Sequence, residues 1–141
     1  VGGDQSQKNY SKATSTGALV VPHVPRLTAI KYANASDVYV QFLKDTKWLP
    51  YEDVDNAILE ALAMNTKVIS PTLIQLKADK DDLDLMGNRE ILKNSKDLSN
   101  AIEVILSKSD RLDTRSILKK YYSWDKILSN NVRIYERLLN A

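Results

Sequence analysis

The chain contains no cysteine among its 141 residues and only one histidine. The first absence excludes a disulfide scaffold, thiolate-bound zinc, an iron–sulfur cluster and thiol catalysis; the second excludes a multi-histidine metal centre. Charge of one sign is also lacking. Twenty Lys and Arg stand against eighteen Asp and Glu, a net +2. That balance is too mild for a nucleic-acid surface. No apolar run approaches the 18 residues a membrane span needs. Glycine and proline number four each, so collagen-like and low-complexity classes are excluded. What remains is 43% hydrophobic and 27% charged, the balance of a globular fold. A chain this long buries roughly two-thirds of its unfolded surface and needs no covalent staples. The cysteine-free composition is compatible with a cytoplasmic location, which we take as the expectation.

Residues 4–17 are polar and read as a short helix or a loop. Ala18-Leu19-Val20-Val21, stopped by Pro22 and Pro25, reads as a buried strand. Leu27, Ile30, Lys31 and Ala33 suggest a helix. Asp37 to Phe42 is β-branched and aromatic, a second strand. Residues 43–51 read as a polar loop. Apolar residues at 54, 57, 58, 61 and 62 mark a helix, and Lys67-Val68-Ile69-Ser70 a third strand. Residues 72–89 are ambiguous, and Glu90-Ile91-Leu92 suggests a short fourth strand. Ser95 opens a helix with stripe Leu98, Ala101, Ile102, Ile105 and Leu106. Residues 112–122 read as helical. Ser123 caps a last helix, and the stripes at 98–106 and 124–138 read as core faces.

Alternation of short strands with helices predicts one α/β domain over residues 1–141. It would be Rossmann-like and three-layered, with a mostly parallel sheet covered on both faces. Ligands in such folds lie beyond the carboxyl ends of the strands, here residues 1–4, 22–25, 43–52 and 70–72. The opening Val1-Gly2-Gly3 resembles a strand end rather than a signal peptide. We therefore expect a fragment of a longer protein.

The informative segment runs from Glu52 to Ala63, with Glu52 and Glu60 eight positions apart. The first precedes a helix start and the second lies two turns inside. A nucleotide-sugar donor suits this spacing. Its diphosphate can face helix-start amides, and acceptor-only carboxylates can receive bonds from sugar and ribose hydroxyls.

Glu52, Glu60-Ala61-Leu62-Ala63, the preceding Ala35-Ser36-Asp37-Val38 and the following Lys67-Val68-Ile69-Ser70 resemble one family. It is the donor-binding, C-terminal domain of retaining, group 1 glycosyltransferases of GT-B fold. The tail from Tyr121-Tyr122-Ser123-Trp124 to Tyr135-Glu136-Arg137-Leu138 is similar too. The likeness covers residues 18–70 and, less closely, 95–140. It implies an enzyme transferring a hexose from a nucleotide-diphosphate sugar to a glycan or lipid-linked acceptor. Glu52 would be catalytic, holding the donor sugar's hydroxyls, and Glu60 would hold the ribose. Amides near Asp55 and Asn56 would face the diphosphate. Pro22-His23-Val24-Pro25 would border the base, with His23 and Val24 in substrate contact. No metal or other cofactor is implied. An N-terminal acceptor domain would be the missing partner, the isolated domain would be inactive, and peripheral membrane association would be a property of the whole protein.

The chain departs from the pattern at several positions. Asp53 replaces a glycine, and with Asp55 it favours the helix dipole while repelling a diphosphate. Asn65 replaces another glycine at a position where asparagine tolerates a left-handed turn. Pro71-Thr72-Leu73-Ile74 replaces a glycine-rich turn. The alternative reading is a non-catalytic Rossmann-like regulatory or partner-docking module; a nucleotide-sugar epimerase fits less well.

Simpler readings stand beside these. Asp53 and Asp55 read better as caps than as ligands, and His23 as a surface loop residue. The Asp79, Asp81, Asp82 and Asp84 stretch reads as a solvated acidic loop, because Leu83 and Asp84 break calcium-loop spacing. Lys119-Lys120-Tyr121-Tyr122 reads as a packed helix end compensating the helix dipole.

Overall fold

A computed structural model describes residues 10–41, 54–76, 78–89, 94–108 and 113–140. By contact density the chain divides into two units, residues 1–32 and 33–141. In the first, Tyr10–Ser15 forms α1, closed by Gly17 at φ 83. Helix α2, Arg26–Asn34, starts after Pro25 and runs into the second unit. The buried strand expected at Ala18–Val21 does not form. Val21 makes a single bridge and Leu19 is exposed. Pro22 and Pro25, which follow the run, supply no N–H, so a ladder could not be continued past Val21.

The second unit holds a three-stranded, all-parallel sheet in the order β1 (Val38–Val40), β2 (Lys67–Ile69), β3 (Gly87–Asn88). Val38, Tyr39 and Val40 lie opposite Lys67, Val68 and Ile69, while Val68 and Ile69 lie opposite Gly87 and Asn88. Helix α3, Asn56–Ala63, connects β1 to β2. A 3-10 helix, Pro71–Leu76, and α4, Lys80–Met86, connect β2 to β3. Then follow α5 (Ser95–Ser107), α6 (Thr114–Tyr121) and α7 (Trp124–Leu139).

Side chains alternate across a strand, so β2 serves two cores. Val68 joins Ile58, Ala61, Leu62, Leu73, Leu76, Leu83, Met86 and Leu118, drawn from α3, the 3-10 helix, α4 and α6. Ile69, one residue on, packs with Ala101 and Ile105 of α5, and with half-buried Val38, Leu98 and Ile102. The unit is therefore an α/β fold with helices on both faces of a small parallel sheet.

A strand forms at Gly87–Asn88, within the stretch that the sequence leaves ambiguous, while the strand expected at 90–92 falls outside the described residues. Three other sequence expectations change. Asn94 rather than Ser95 caps α5, accepting from Lys96 and Asp97 N–H at 2.9 and 3.0 Å. The acidic stretch is not a loop: Asp79 is the N-cap of α4, and Asp81 and Asp82 fill its first turn, where carboxylates meet the positive end of the helix dipole. The stripe of α7 is not a core face, since every residue from Trp124 to Asn140 is exposed. Other expectations hold. Asn65 adopts φ 61, and Ser123 caps α7 by accepting from Lys126 N–H.

Gly87 is required by proximity. A Cβ there would lie 1.7 Å from the Val68 carbonyl oxygen, across the ladder. Backbone cannot yield as a side-chain tip can. Gly87→Ala should cost about 3 kcal/mol, the upper range of overpacking; a urea midpoint equal to that of the parent chain would refute this.

Lys120 and Tyr121 tie α6 to α4. Lys120 Nζ lies 3.2 Å from Asp79 Oδ2 and 2.8 Å from Asp82 Oδ2, and Tyr121 donates its hydroxyl to Asp82. The hydrogen bond from Tyr121, with Lys120, holds Asp79 below the usual carboxylate value of 3.8; that from Lys120, then Tyr121, does the same for Asp82. Carboxylates lowered on folding stabilise above their unfolded value, and the gain is lost as pH falls through the folded value. Acid titration should loosen the α4–α6 tie below about pH 4. Lys120→Met should weaken the tie at neutral pH and flatten that acid dependence in circular dichroism melts.

Candidate functional site

The start of α3 lies at the carboxyl ends of β1 and β2, where ligands bind in open parallel sheets. An open concavity of about 590 Å³ is lined there by Val54, Asp55, Asn56, Leu59, Gln75 and Tyr122. The elements that bring these together are α3, the 3-10 helix and the residue after α6.

Asp55 is the pivot. Its Oδ1 accepts from Ala57 N–H at 3.0 Å, capping α3. Its backbone carbonyl accepts from Ile58 and Leu59 N–H at 3.0 and 3.2 Å. The helix-start amides of residues 57–59 are thus held by Asp55 itself, and a carboxylate occupies the seat where a phosphate would meet them. Asp55 Oδ2 also accepts from Gln41 Nε2 at 3.3 Å.

Gln41 follows β1 and donates its N–H to the Ile69 carbonyl. Its Oε1 lies 2.7 Å from Ser70 Oγ and 3.2 Å from Thr72 Oγ1, both buried just past β2. The two hydroxyls are 2.9 Å apart, and Ser70 Oγ accepts from Thr72 N–H. A carboxylate is acceptor-only, so it fixes the orientation of the Gln41 amide. The NH₂ group faces Asp55 and the oxygen takes the hydroxyl protons. This network links the ends of two strands to the cap of α3.

Glu60 lies in the second turn of α3, half-buried. Tyr39, from β1, packs against the same core as α3. Burial, aided by the charges of Asp55 and Glu60, pushes its phenol above 10.0. It therefore stays neutral at physiological pH.

The sequence-predicted residues divide three ways. Asp55 and Asn56 line the concavity, with Glu60 one turn further along their helix. Glu52 and Asp53 lie outside the described residues. His23 and Val24 belong to the first unit, in the loop before α2, with His23 exposed and Val24 half-buried. Gln41, Gln75, Tyr39 and Tyr122 were not anticipated in the site. Ser70 and Thr72 fall in the strand-end segment 70–72 that the fold class singles out. Among the described residues no group of three or more His, Asp or Glu side chains is placed to hold a metal ion.

No family model, no characterised protein and no solved structure matches the chain.

The double role of Asp55 is open to mutation. Asp55→Ala should cost about 1 kcal/mol through loss of the cap, whereas Asp55→Asn, an equally good cap, should cost a few tenths. Thermal denaturation of the two variants beside the parent chain checks the order; equal losses would mean that the cap contributes nothing.

Proposed function

We propose that the chain is the donor-binding domain of a retaining glycosyltransferase of GT-B type, acting in the cytoplasm. It would take a nucleotide-diphosphate sugar and, with an acceptor domain, pass its hexose to a glycan or lipid-linked acceptor. The observation that carries this reading is the position of α3. The helix bearing Glu60 connects two parallel strands, and its first turn opens on a concavity at their carboxyl ends. In this reading Glu60 accepts hydrogen bonds from the ribose diol, and Asn56 contacts the donor beside it. Glu52 would hold the sugar's hydroxyls. The residues supply acceptors for hydroxyls and need no metal for that task.

A second reading is favoured by one observation. Asp55 places its carboxylate on the Ala57 amide, one of the helix-start amides that a diphosphate would use. A site decayed in this way suits a non-catalytic regulatory or docking module of the same fold.

A thermal-shift panel with UDP, GDP, ADP and their sugars separates the two. A donor at a hundred times its dissociation constant stabilises by about 2.7 kcal/mol, a shift of several degrees. One nucleotide class should stand out. Glu60→Ala should then weaken its binding about tenfold, the worth of a charge-assisted hydrogen bond. Unchanged affinity would remove Glu60 from the site, and a flat panel would favour the docking module.

A further inference from the structure

The concavity at the start of α3 is lined by side chains from three separate segments. Val54 and Asp55 precede α3, and Asn56 and Leu59 lie in it. Gln75 comes from the 3-10 helix, and Tyr122 follows α6. In chemical terms the lining is one aromatic ring, two aliphatic side chains, two primary amides and one carboxylate. Neither Lys nor Arg is among these described residues. The volume of about 590 Å³ falls in the range of small-ligand sites.

Tyr122 is held from both sides. Its N–H donates to the Leu118 carbonyl at 2.8 Å, closing α6, and the next residue, Ser123, caps α7. Tyr122 nevertheless remains 37% exposed where it borders the concavity. An aromatic ring placed at such a junction and open to solvent is a preorganised platform. The C–H hydrogens on one face of a pyranose suit the electron-rich face of a phenol. The polar groups suit its hydroxyls. Asp55 accepts from Ala57 N–H through Oδ1 and from Gln41 Nε2 through Oδ2, which uses about half of a carboxylate's acceptor sites. Two acceptor oxygens on one fixed group match a pair of neighbouring hydroxyls. Asn56 and Gln75 add amides that both donate and accept, as hydroxyls do.

Charge decides which rings can enter. The Asp55 carboxylate lies in the lining, and Glu60 stands one turn further along α3. The Tyr39 phenol, raised first by burial and then by these two charges, reports the same negative field. No cation of the lining offsets it. A uronic acid or a sugar phosphate would lose solvation there and meet a like charge.

We propose that this concavity seats an uncharged, hydroxylated six-membered ring and turns away acidic sugars, with Tyr122 as the stacking platform and Asp55 and Gln75 as hydroxyl contacts. The site is that of the donor reading, and the inference rests on that reading for taking the ring to be the transferred hexose.

Titration with the methyl glycosides of glucose, galactose and mannose, followed in ¹H–¹⁵N spectra of the full chain, probes the ring without a nucleotide. At least one should shift Tyr122 and Gln75 saturably at millimolar concentration, and methyl glucuronide should not. Tyr122→Ala should weaken that binding about tenfold, the worth of an aromatic stack, while Tyr122→Phe keeps it within about twofold. Asp55→Asn, which retains a good cap for α3, should admit the glucuronide. Neutral glycosides that bind at Tyr122 in a chain indifferent to every nucleotide would support the ring site and remove the donor reading. Nucleotide sugars that bind with Tyr122 and Gln75 unmoved would keep the donor reading and overturn the ring site. No glycoside moving these residues, glucuronide binding as tightly as the neutral glycosides, guanosine binding there in their place, or a folded Tyr122→Ala chain of parental affinity would overturn it too.

Discussion

The second unit is organised around a strand of three residues. Among the described residues Lys67–Ile69 alone of the three strands has a ladder on both sides, and its two apolar residues anchor opposite cores. Val68 holds α3, α4 and α6 on one face, and Ile69 holds α5 on the other. Even the neighbouring polar residues secure helix ends. Thr66 donates to the Ala33 carbonyl at the end of α2, and Lys67 Nζ reaches the Lys108 carbonyl beyond α5 at 3.0 Å. The close approach of Gly87 to the Val68 carbonyl completes the ladder. Few residues are available to substitute for these contacts, so the unit depends on β2 more than on any helix.

From that strand the chemistry proceeds outward. Ser70 and Thr72, buried just past β2, direct the Gln41 amide, and Gln41 steadies the carboxylate that caps α3. The helix start is thereby rigidly placed and already supplied with negative charge. A ligand entering the adjacent concavity meets Asp55, Asn56, Gln75 and Tyr122. These groups offer hydrogen bonds and an aromatic face to hydroxylated rings, while the capping carboxylate disfavours phosphate at the same amides. In the donor-binding reading proposed above, the sugar and ribose parts of a donor would suit this lining better than its diphosphate. Tyr39, kept neutral by burial and by the nearby carboxylates, adds no charge to the balance.

Much of this was legible where periodicity and chemistry agreed. The 54–62 stripe placed α3, and the β-branched runs placed β1 and β2. Asp55 as a cap and Asn65 in a left-handed turn followed from side-chain reach and Cβ sterics. Other features could not be read locally. The Ala18–Val21 run has strand composition, but strand formation depends on a neighbour to pair with. Asn94 and Ser95 are both good caps, and only the backbone path selects one. Gly87 pairs because it lacks a side chain, an attribute that in sequence reads equally as a turn. Gln41 finds its partners 14 to 31 residues away. The stripe of α7 has core-like spacing, but periodicity reports an apolar face and not what covers it. Asp55 and Asn56, expected at the start of α3, line the concavity, while Gln75 and Tyr122 reach it only through tertiary packing.

The central claim is that ligand recognition is located at the start of α3, beyond the carboxyl ends of β1 and β2. The most direct test is a ¹H–¹⁵N NMR titration of the chain with UDP-, GDP- and ADP-sugars. The account predicts saturable shifts, for one nucleotide class, concentrated at Asn56–Glu60, Gln41, Gln75 and Tyr122. Saturable shifts confined to α5 or α7, or no shift with any donor at millimolar concentration, would contradict it.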